Sequence, residues 1–529
     1  MHAISRTAIL ALAVGTALAG LQEAGDGISA DEIRAHIYFL SRDELQGRAP
    51  GTPGADVAAE YIKTQFMRMG LEPVDGSYFQ EVPLTGVTTD PTTLSLAFEV
   101  EDGRVPGPYP SEAVIWPAAP GRPAIQLSGE LVFVGYGINA PEWGWDDYKD
   151  RDLTGKVAVF LVGDPPAPPD EPGLFDGRSM TYYGRWTYKF EEARRQGATG
   201  ALIIHTDEAA GYGWDVVRTS WTGEQLMLPD QGDGAPLMVQ GWMTRDLAHR
   251  VLAQAGIDLA ELFVRAARRD FSPVATGVTV RARLNSRSRR VPARNVVGYL
   301  PGADATDEVV VFTAHYDHLG IGPAVDGDSI YNGAYDNASG VSLLLEVADA
   351  FSALEEAPRR GALFVATTAE EAGLLGSRYY VQNPLFPLES TVAAINVDGA
   401  NLWGETDDVV ALGAERSTLG DVLRPRAEEM GLRVRPDPEP EKGGSFRSDH
   451  FPFVLAGVPV LYIRHGLDFR DRPAGWGETL MERWAAENYH RPSDEYDPGF
   501  NLSGAVQQAR LVFRTGLDLA DSIGRPVER

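Results

Sequence analysis

An α/β architecture, with a sheet flanked by helices and an inserted strand-rich domain, follows from three features of this 529-residue sequence. From Asn295 onward, apolar β-branched runs alternate with helical patterns. Histidine and acidic residues stand at the ends of those runs, on the edge where open α/β sheets place their sites. Between about Gly129 and Arg283 the texture changes to short strand-like runs separated by turn-rich, Trp- and Tyr-bearing stretches.

Each element has a local reason. Arg6, the apolar stretch Ala8 to Gly15 and the small residues Ala17-Leu18-Ala19 read as a signal segment over 1–19, so export to a periplasmic or secreted location is expected. That apolar stretch is shorter than the ~20 residues that span a bilayer. Ser29 to Leu40 reads as a helix: Ser29 is a capping residue, Asp31-Glu32 lie in the first turn, and Ile33, Ile37 and Leu40 share a face. Gly47 to Gly54 is punctuated by Gly and Pro and reads as a loop. A second helix is expected from Ala55 to Met69. Residues 28–120 form the first part of the site-bearing domain.

Residues 121–285 read as the inserted domain, with strands at Leu131 to Val134, Val157 to Val162, Ala201 to Ile204 and Pro236 to Val239, and a helix at Tyr188 to Arg195. Nothing in it has ligand spacing, and His205 reads as structural. A basic linker, Asn285 to Arg294, leads back to the site-bearing domain, 286–529. There the pattern predicts strands at 295–300, 309–314, 362–367, 392–397 and 458–463. Helices are predicted at about 338–351, 371–381, 417–430 and 502–521.

The composition, 43% hydrophobic and 23% charged, supplies a large core. A formal net charge of -28 argues against nucleic acid or an anionic membrane as partner, and no run beyond the N-terminus is long enough for stable membrane insertion. With Cys 0, disulfides, thiolate ligands and cysteine nucleophiles are excluded, leaving His, Asp and Glu for metal chemistry.

Val309 to Thr313 is an apolar run that delivers His315, with Asp317 two residues on. Asp336 follows within Gly333 to Gly340. Glu370-Glu371 succeed the run Leu363 to Thr368, Asp398 ends the run Val392 to Val397, and His490 lies in Asn488 to Asp494. Two histidines and several carboxylates, most at predicted strand ends, suit two zinc ions. Adjacent side chains at a strand end diverge, so Glu370 and Glu371 are not expected to ligate the same ion. Asp317 is expected to accept the second ring N–H of His315 and so fix its orientation.

The series His315-x-Asp317, Asp336, Glu370-Glu371, Asp398, Tyr489-His490 resembles the zinc peptidase family M28, co-catalytic metallopeptidases that include aminopeptidases and glutamate carboxypeptidases. The resemblance covers Asn295 to about Asp497 strongly and Ala30 to Pro73 weakly. The inserted block is similar to a protease-associated (PA) domain on Gly155 to Val159, Glu192-Ala193 and Gly197 to Ala201. The resemblance implies a zinc-exopeptidase-like mixed sheet flanked by helices and two Zn2+ per chain. It also implies that Asp336 bridges the ions, with His315 and Asp398 completing one site and Glu371 and His490 the other. Glu370 is implied as the general base and Tyr489 as a hydrogen-bond donor to the developing oxyanion.

Ser448 to Phe451 also matches a pattern of that family and places His450 toward the substrate side, in a supporting role. His318 and His465 read as supporting or structural. Arg447 and Arg464 are candidates for pairing a substrate carboxylate. The expected activity is that of an exported di-zinc aminopeptidase acting on peptides with a free N-terminus. A glutamate-carboxypeptidase-like hydrolase is the close alternative. A glutaminyl cyclase, which works with one zinc, and a non-catalytic receptor-like binding protein are the remoter ones.

Overall fold

The computed structural model describes residues 24–101, 103–229 and 234–529, so the expected signal segment lies outside the described residues. The chain divides into two compact units: one ends at Val82 and resumes over Pro292–Pro438 and Arg447–Arg529, the other is Pro83–Val291 with Glu439–Phe446. The second unit opens at Pro83, ahead of the expected boundary at 121. The Ala113–Pro117 strand pairs with Val239–Thr244 inside that unit, and no change of composition marks the point where it starts.

In the first unit the strands run in the order Arg433–Arg435, Asp408–Leu412, Val460–His465, Thr391–Asn396, Ala305–His315, Arg360–Thr367 and the end of Val274–Leu300. Four neighbouring pairs are parallel (Ala305–His315 with Arg360–Thr367 and with Thr391–Asn396, Thr391–Asn396 with Val460–His465, and Asp408–Leu412 with Arg433–Arg435). Asp408–Leu412 runs antiparallel to Val460–His465, and Val296 to Leu300 antiparallel to Ala362 to Ala366, so the sheet is mixed.

The period-two alternation of a strand decides its packing. Val310, Phe312 and Ala314 face helices Ala30–Leu40, Pro53–Arg68, Gly340–Ser352 and Ser503–Asp521, while Val309 and Val311 face Tyr380 and Phe453 on the other side. Each such fully buried side chain stabilises by roughly 1.5–3 kcal/mol relative to exposure. Gly516 lies against the Phe312 ring where a β-carbon would collide, which lets the long C-terminal helix approach the sheet closely.

Helix Ala30–Leu40 forms as its sequence dictates. Ser29 Oγ accepts the Glu32 N–H at 3.2 Å, and Ile33, His36, Ile37 and Leu40 are buried at helical spacing. Residues 285–294, expected to be a linker, instead belong to the strand Val274–Leu300. Within that stretch Ser286, Val291 and Ala293 are buried while Arg287, Arg289 and Arg290 are exposed, so its inward positions follow the strand despite the basic charge. The expected strand at 236–239 forms later, over Val239–Thr244, because Pro236 has no N–H for a ladder. Thr244 then caps helix Arg245–Gln254 by accepting the Leu247 N–H at 3.2 Å.

In the second unit Ala124–Phe133, Val157–Leu161, Gly200–His205 and Val239–Thr244 are successive parallel neighbours. Helices Arg245–Gln254 and Leu259–Ala266 cover one face, helix Trp186–Arg195 the other. His205 is structural: its ring bonds the Tyr212 carbonyl at 3.0 Å and packs among Trp214 and Trp242. Among the described residues no helix is long and apolar enough to cross a membrane.

Candidate metal centre

Strand ends and the loops after them bring the expected donors together, all within the first unit. His315 is the last residue of Ala305–His315. Its Nδ1 lies 3.1 Å from the backbone carbonyl of Asp317, which can only accept, so Nδ1 carries the proton and Nε2 presents its lone pair. Nε2 faces Asp336 Oδ1 at 3.3 Å and Asp398 Oδ1 at 3.4 Å. The other oxygen of Asp336, Oδ2, lies 3.5 Å from Nε2 of His490, which in turn is 3.1 Å from Glu371 Oε2. Asp336 therefore stands between two histidines, each with a further carboxylate beside it.

Two backbone positions in the left-handed region serve this geometry. Ala369 has φ 57° and turns the chain out of strand Arg360–Thr367, so that Glu370 and Glu371 lie on a turn before helix Leu375–Gln382 and not at its start, as 371–381 had implied. His490 itself has φ 56°. Non-glycine residues held there are strained and collect at functional sites.

The ligand-bearing loops are cross-tied. Asp494 accepts the N–H groups of Tyr335 at 2.9 Å and Asp336 at 3.0 Å, which clamps the Asp336 loop to the segment carrying His490. Asn337 Oδ1 accepts from Gly340 and Gly399, each at 2.9 Å, and so ties the Asp336 loop to the turn after Asp398. Arg48 is 1% exposed. It donates to the carbonyls of Tyr316 at 2.7 Å, Asn332 at 2.7 Å and Gly333 at 3.0 Å, and also to Leu40. Burial lowers its pKa to about 10, opposed by Asp494, Asp317, Asp336 and Glu371.

The electrostatics are those of crowded anions. Burial lifts Asp317 to about 7 and Asp494 to about 6, and pushes Glu370 well above the ordinary carboxylate value. Burial also opposes the charge on Glu371, yet His490 and His318 outweigh it and hold the pKa at about 2. His490 is raised to about 10, because Glu371 and Asp336 overcome its burial. Such a set gains stability from added positive charge.

The expected supporting residues fall into place unevenly. The Asp317 carboxylate is 3.9 Å from His315 Nδ1, too far to take its proton, and accepts the Glu370 N–H at 3.1 Å instead. The backbone carbonyl of Asp317 performs the orienting role because it lies nearer in the extended chain. Glu370 comes within 4.8 Å of the His315 and Asp398 donor atoms. Tyr489 stacks on His490 with ring centroids 3.9 Å apart. The residue keeps 48% of its surface, yet enclosure around its hydroxyl, with the charges of Asp336, Glu371 and Glu370, holds that hydroxyl's pKa well up. His450 is buried against Tyr462 at 4.8 Å, and the Tyr462 hydroxyl bonds the Asp398 carbonyl at 3.2 Å. It thus sits behind the site and does not line an open surface.

Sequence reasoning placed His318 only as supporting or structural, and it missed Arg48 and Asp494. His318 bonds Glu371 Oε1 through Nδ1 at 2.7 Å, and His318, Asp336 and Glu371 have donor atoms within 4.8 Å of one another. Arg48 was hidden in a loop read only from its glycines and prolines. Asp494 lies in the quoted Asn488 to Asp494 segment, but an acceptor of backbone N–H groups leaves no spacing signal.

Fold and donor set together describe an α/β protein with a candidate metal-binding centre at its sheet edge. Residues 295–514, a little under half of the chain, match the family model for peptidase family M28. Aminopeptidase YwaD of Bacillus subtilis (strain 168) is 31% identical over 214 residues, 39% of this chain and 40% of that protein. Leupeptin-inactivating enzyme 1 of Streptomyces exfoliatus is 29% identical over 189 residues, 35% of this chain and 39% of its own length. The probable glutamate carboxypeptidase AMP1 of Arabidopsis thaliana is 25% identical over 477 residues, 83% of this chain and 62% of that one. The chain thus spans 39% and 40% of the length of the first two curated relatives. An aminopeptidase from Aneurinibacillus sp. strain AM-1 shares the fold, with TM-score 0.53 and 18% identity over 96% of this chain and 97% of that one.

Proposed function

We propose that the protein is an exported di-zinc exopeptidase that removes N-terminal residues from peptides. The observation that carries this reading is Asp336 set between His315 and His490, with Asp398 and Glu371 completing the two groups. Imidazole nitrogen and carboxylate oxygen are the donors zinc takes, and a shared carboxylate is what two neighbouring ions require. The fit shows in His490 Nε2, which is buried and has no hydrogen-bond partner although two carboxylate oxygens face it. A nitrogen enclosed between two carboxylates in this way is placed where it could ligate an ion that they share.

In this reading His315, Asp336 and Asp398 hold one ion and Asp336, Glu371 and His490 the other. Bound there, zinc supplies Lewis-acid polarisation of the scissile carbonyl and lowers the pKa of the attacking water. Glu370, beside His315 and Asp398 and with its backbone fixed by Asp317, takes the water proton and delivers it to the leaving amine. Tyr489 donates its hydroxyl proton in a hydrogen bond to the developing oxyanion. The acidic surroundings favour a substrate with a protonated α-amine. Both groups of donor atoms lie in the first unit, and the second unit, the proposed PA domain, contributes none among the described residues.

Aminoacyl-nitroanilides with a free amine should be cleaved and their N-acetylated counterparts should be inert. Elemental analysis should give two zinc ions per chain, and chelation should abolish turnover. Release of C-terminal residues from acetylated dipeptides would transfer the assignment to the glutamate-carboxypeptidase type.

A further inference from the structure

Arg447 presents guanidinium N–H groups that no hydrogen bond among the described residues uses. Its Nε and Nη2 are both enclosed and without a hydrogen-bond partner, and no ion pair to it is formed among the described residues. Enclosed guanidinium N–H groups left unbonded are destabilising, and native structures retain them where something else satisfies them. Here the chain holds 75 acidic residues against 47 basic ones, so a lone cation had many carboxylates available. The deeply buried Arg48, by contrast, has every one of its nitrogens bonded to carbonyls.

The position of Arg447 is fixed from its own chain neighbours. Ser448 Oγ accepts from Asn396 Nδ2 at 2.8 Å, at the end of the strand that leads to Asp398. Asp449, which is 0% exposed, accepts the hydroxyls of Thr367, at the end of the strand that leads to Glu370, and of Ser377 in helix Leu375–Gln382. Arg447 thus starts from the sheet edge that presents the candidate ligands. A guanidinium offers a planar fork that matches a carboxylate with two parallel hydrogen bonds.

We propose that Arg447 is a specificity-determining residue that takes a carboxylate of the substrate, either the α-carboxylate of a dipeptide's second residue or an acidic side chain on the first. The proposal rests on the exopeptidase reading and adds its substrate class: short or acidic peptides carrying a carboxylate within one residue of the scissile bond.

The test compares kcat/KM in two matched pairs on the zinc-loaded enzyme: Leu-Gly against leucylglycinamide, and glutamyl- against glutaminyl-p-nitroanilide. One pair should show the acid preferred by roughly 10-fold or more, chiefly through KM. The pair that does so identifies the source of the carboxylate. Arg447→Gln should bring that ratio to near unity, and Arg447→Lys, a charge without the fork, should keep part of it. Equal rates within both pairs in the native enzyme, or a preference that survives in Arg447→Gln, would overturn the proposal. The native ratios need no variant to fold. Cleavage of acetylated dipeptides in place of free aminoacyl anilides would sink the aminopeptidase reading alone. Acetyl-Leu-Gly against its amide would then put Arg447 to the same test.

Discussion

His318 Nδ1 lies 2.7 Å from Oε1 of Glu371, leaving the other carboxylate oxygen directed at His490. A carboxylate so held has one oxygen committed and one available, and outer groups of this kind set ligand orientation. His318→Phe should therefore lower zinc affinity at the Glu371 side by roughly 10–100-fold while leaving the His315 side intact. Equilibrium dialysis reads this directly. Unchanged affinity would reduce His318 to packing, and loss of one ion outright would make it a ligand.

Glu370 and Glu371 are neighbours with different surroundings. Glu370→Gln should keep both ions and substrate binding while kcat falls by roughly 10²–10⁴-fold. Glu371→Gln should instead lose metal. Exchange of the two phenotypes would mean that the roles are reversed.

Arg48 bonds four carbonyls from three stretches of chain, among them those that carry His315 and Asp336. Arg48→Met leaves these acceptors buried and unpaired, which should destabilise the folded state by about 3 kcal/mol or more. Denaturant titration of the apo-protein measures it. A midpoint within error of the native protein would show that water replaces the guanidinium without loss.

His465 is a pH-sensitive element. Its Nδ1 donates to the Gly466 carbonyl at 2.8 Å and its Nε2 accepts from the Tyr335 hydroxyl at 3.2 Å, an arrangement available only to the neutral ring. Burial, with a smaller contribution from the Arg464 charge, lowers its pKa from 6.5 to about 4. Between these values the unfolded chain binds the proton and the folded chain does not. Stability is thus fully present above pH 6.5 and falls by up to about 3 kcal/mol as the pH drops to about 4. Denaturation midpoints across that window should slope upward with pH, and His465→Gln should flatten the slope. An unaltered slope in the variant would assign the effect to other groups.

What the sequence disclosed follows from where its signals are local. Val309 to Ala314 reads as a strand because burial on both faces demands a continuous apolar run, and His315 marks its end. Asp336, Glu371, Asp398 and His490 could be singled out as candidate ligands because donor side chains are a restricted alphabet, and the fold brings them together. Arg48 was not, since its importance comes from carbonyls of residues 316, 332 and 333 that only the fold brings near. The Asp317 carboxylate was assigned to the wrong neighbour because two residues of extended chain leave carboxylate and carbonyl both within reach, and a third group, the Glu370 N–H, decided between them. The strand through 285–294 was misread because its arginines resemble a linker while its inward positions do not.

The Asp494 clamp has a consequence for biosynthesis. Asp336 is held in place by N–H bonds to a residue 158 positions further along the chain, in the segment that also supplies His490. A nascent chain that has already folded the strand of His315 still lacks that clamp and one of the two imidazoles. Contacts so distant in sequence close late. In the proposed di-zinc reading, capture of both ions would then wait for the chain to be complete through residue 494.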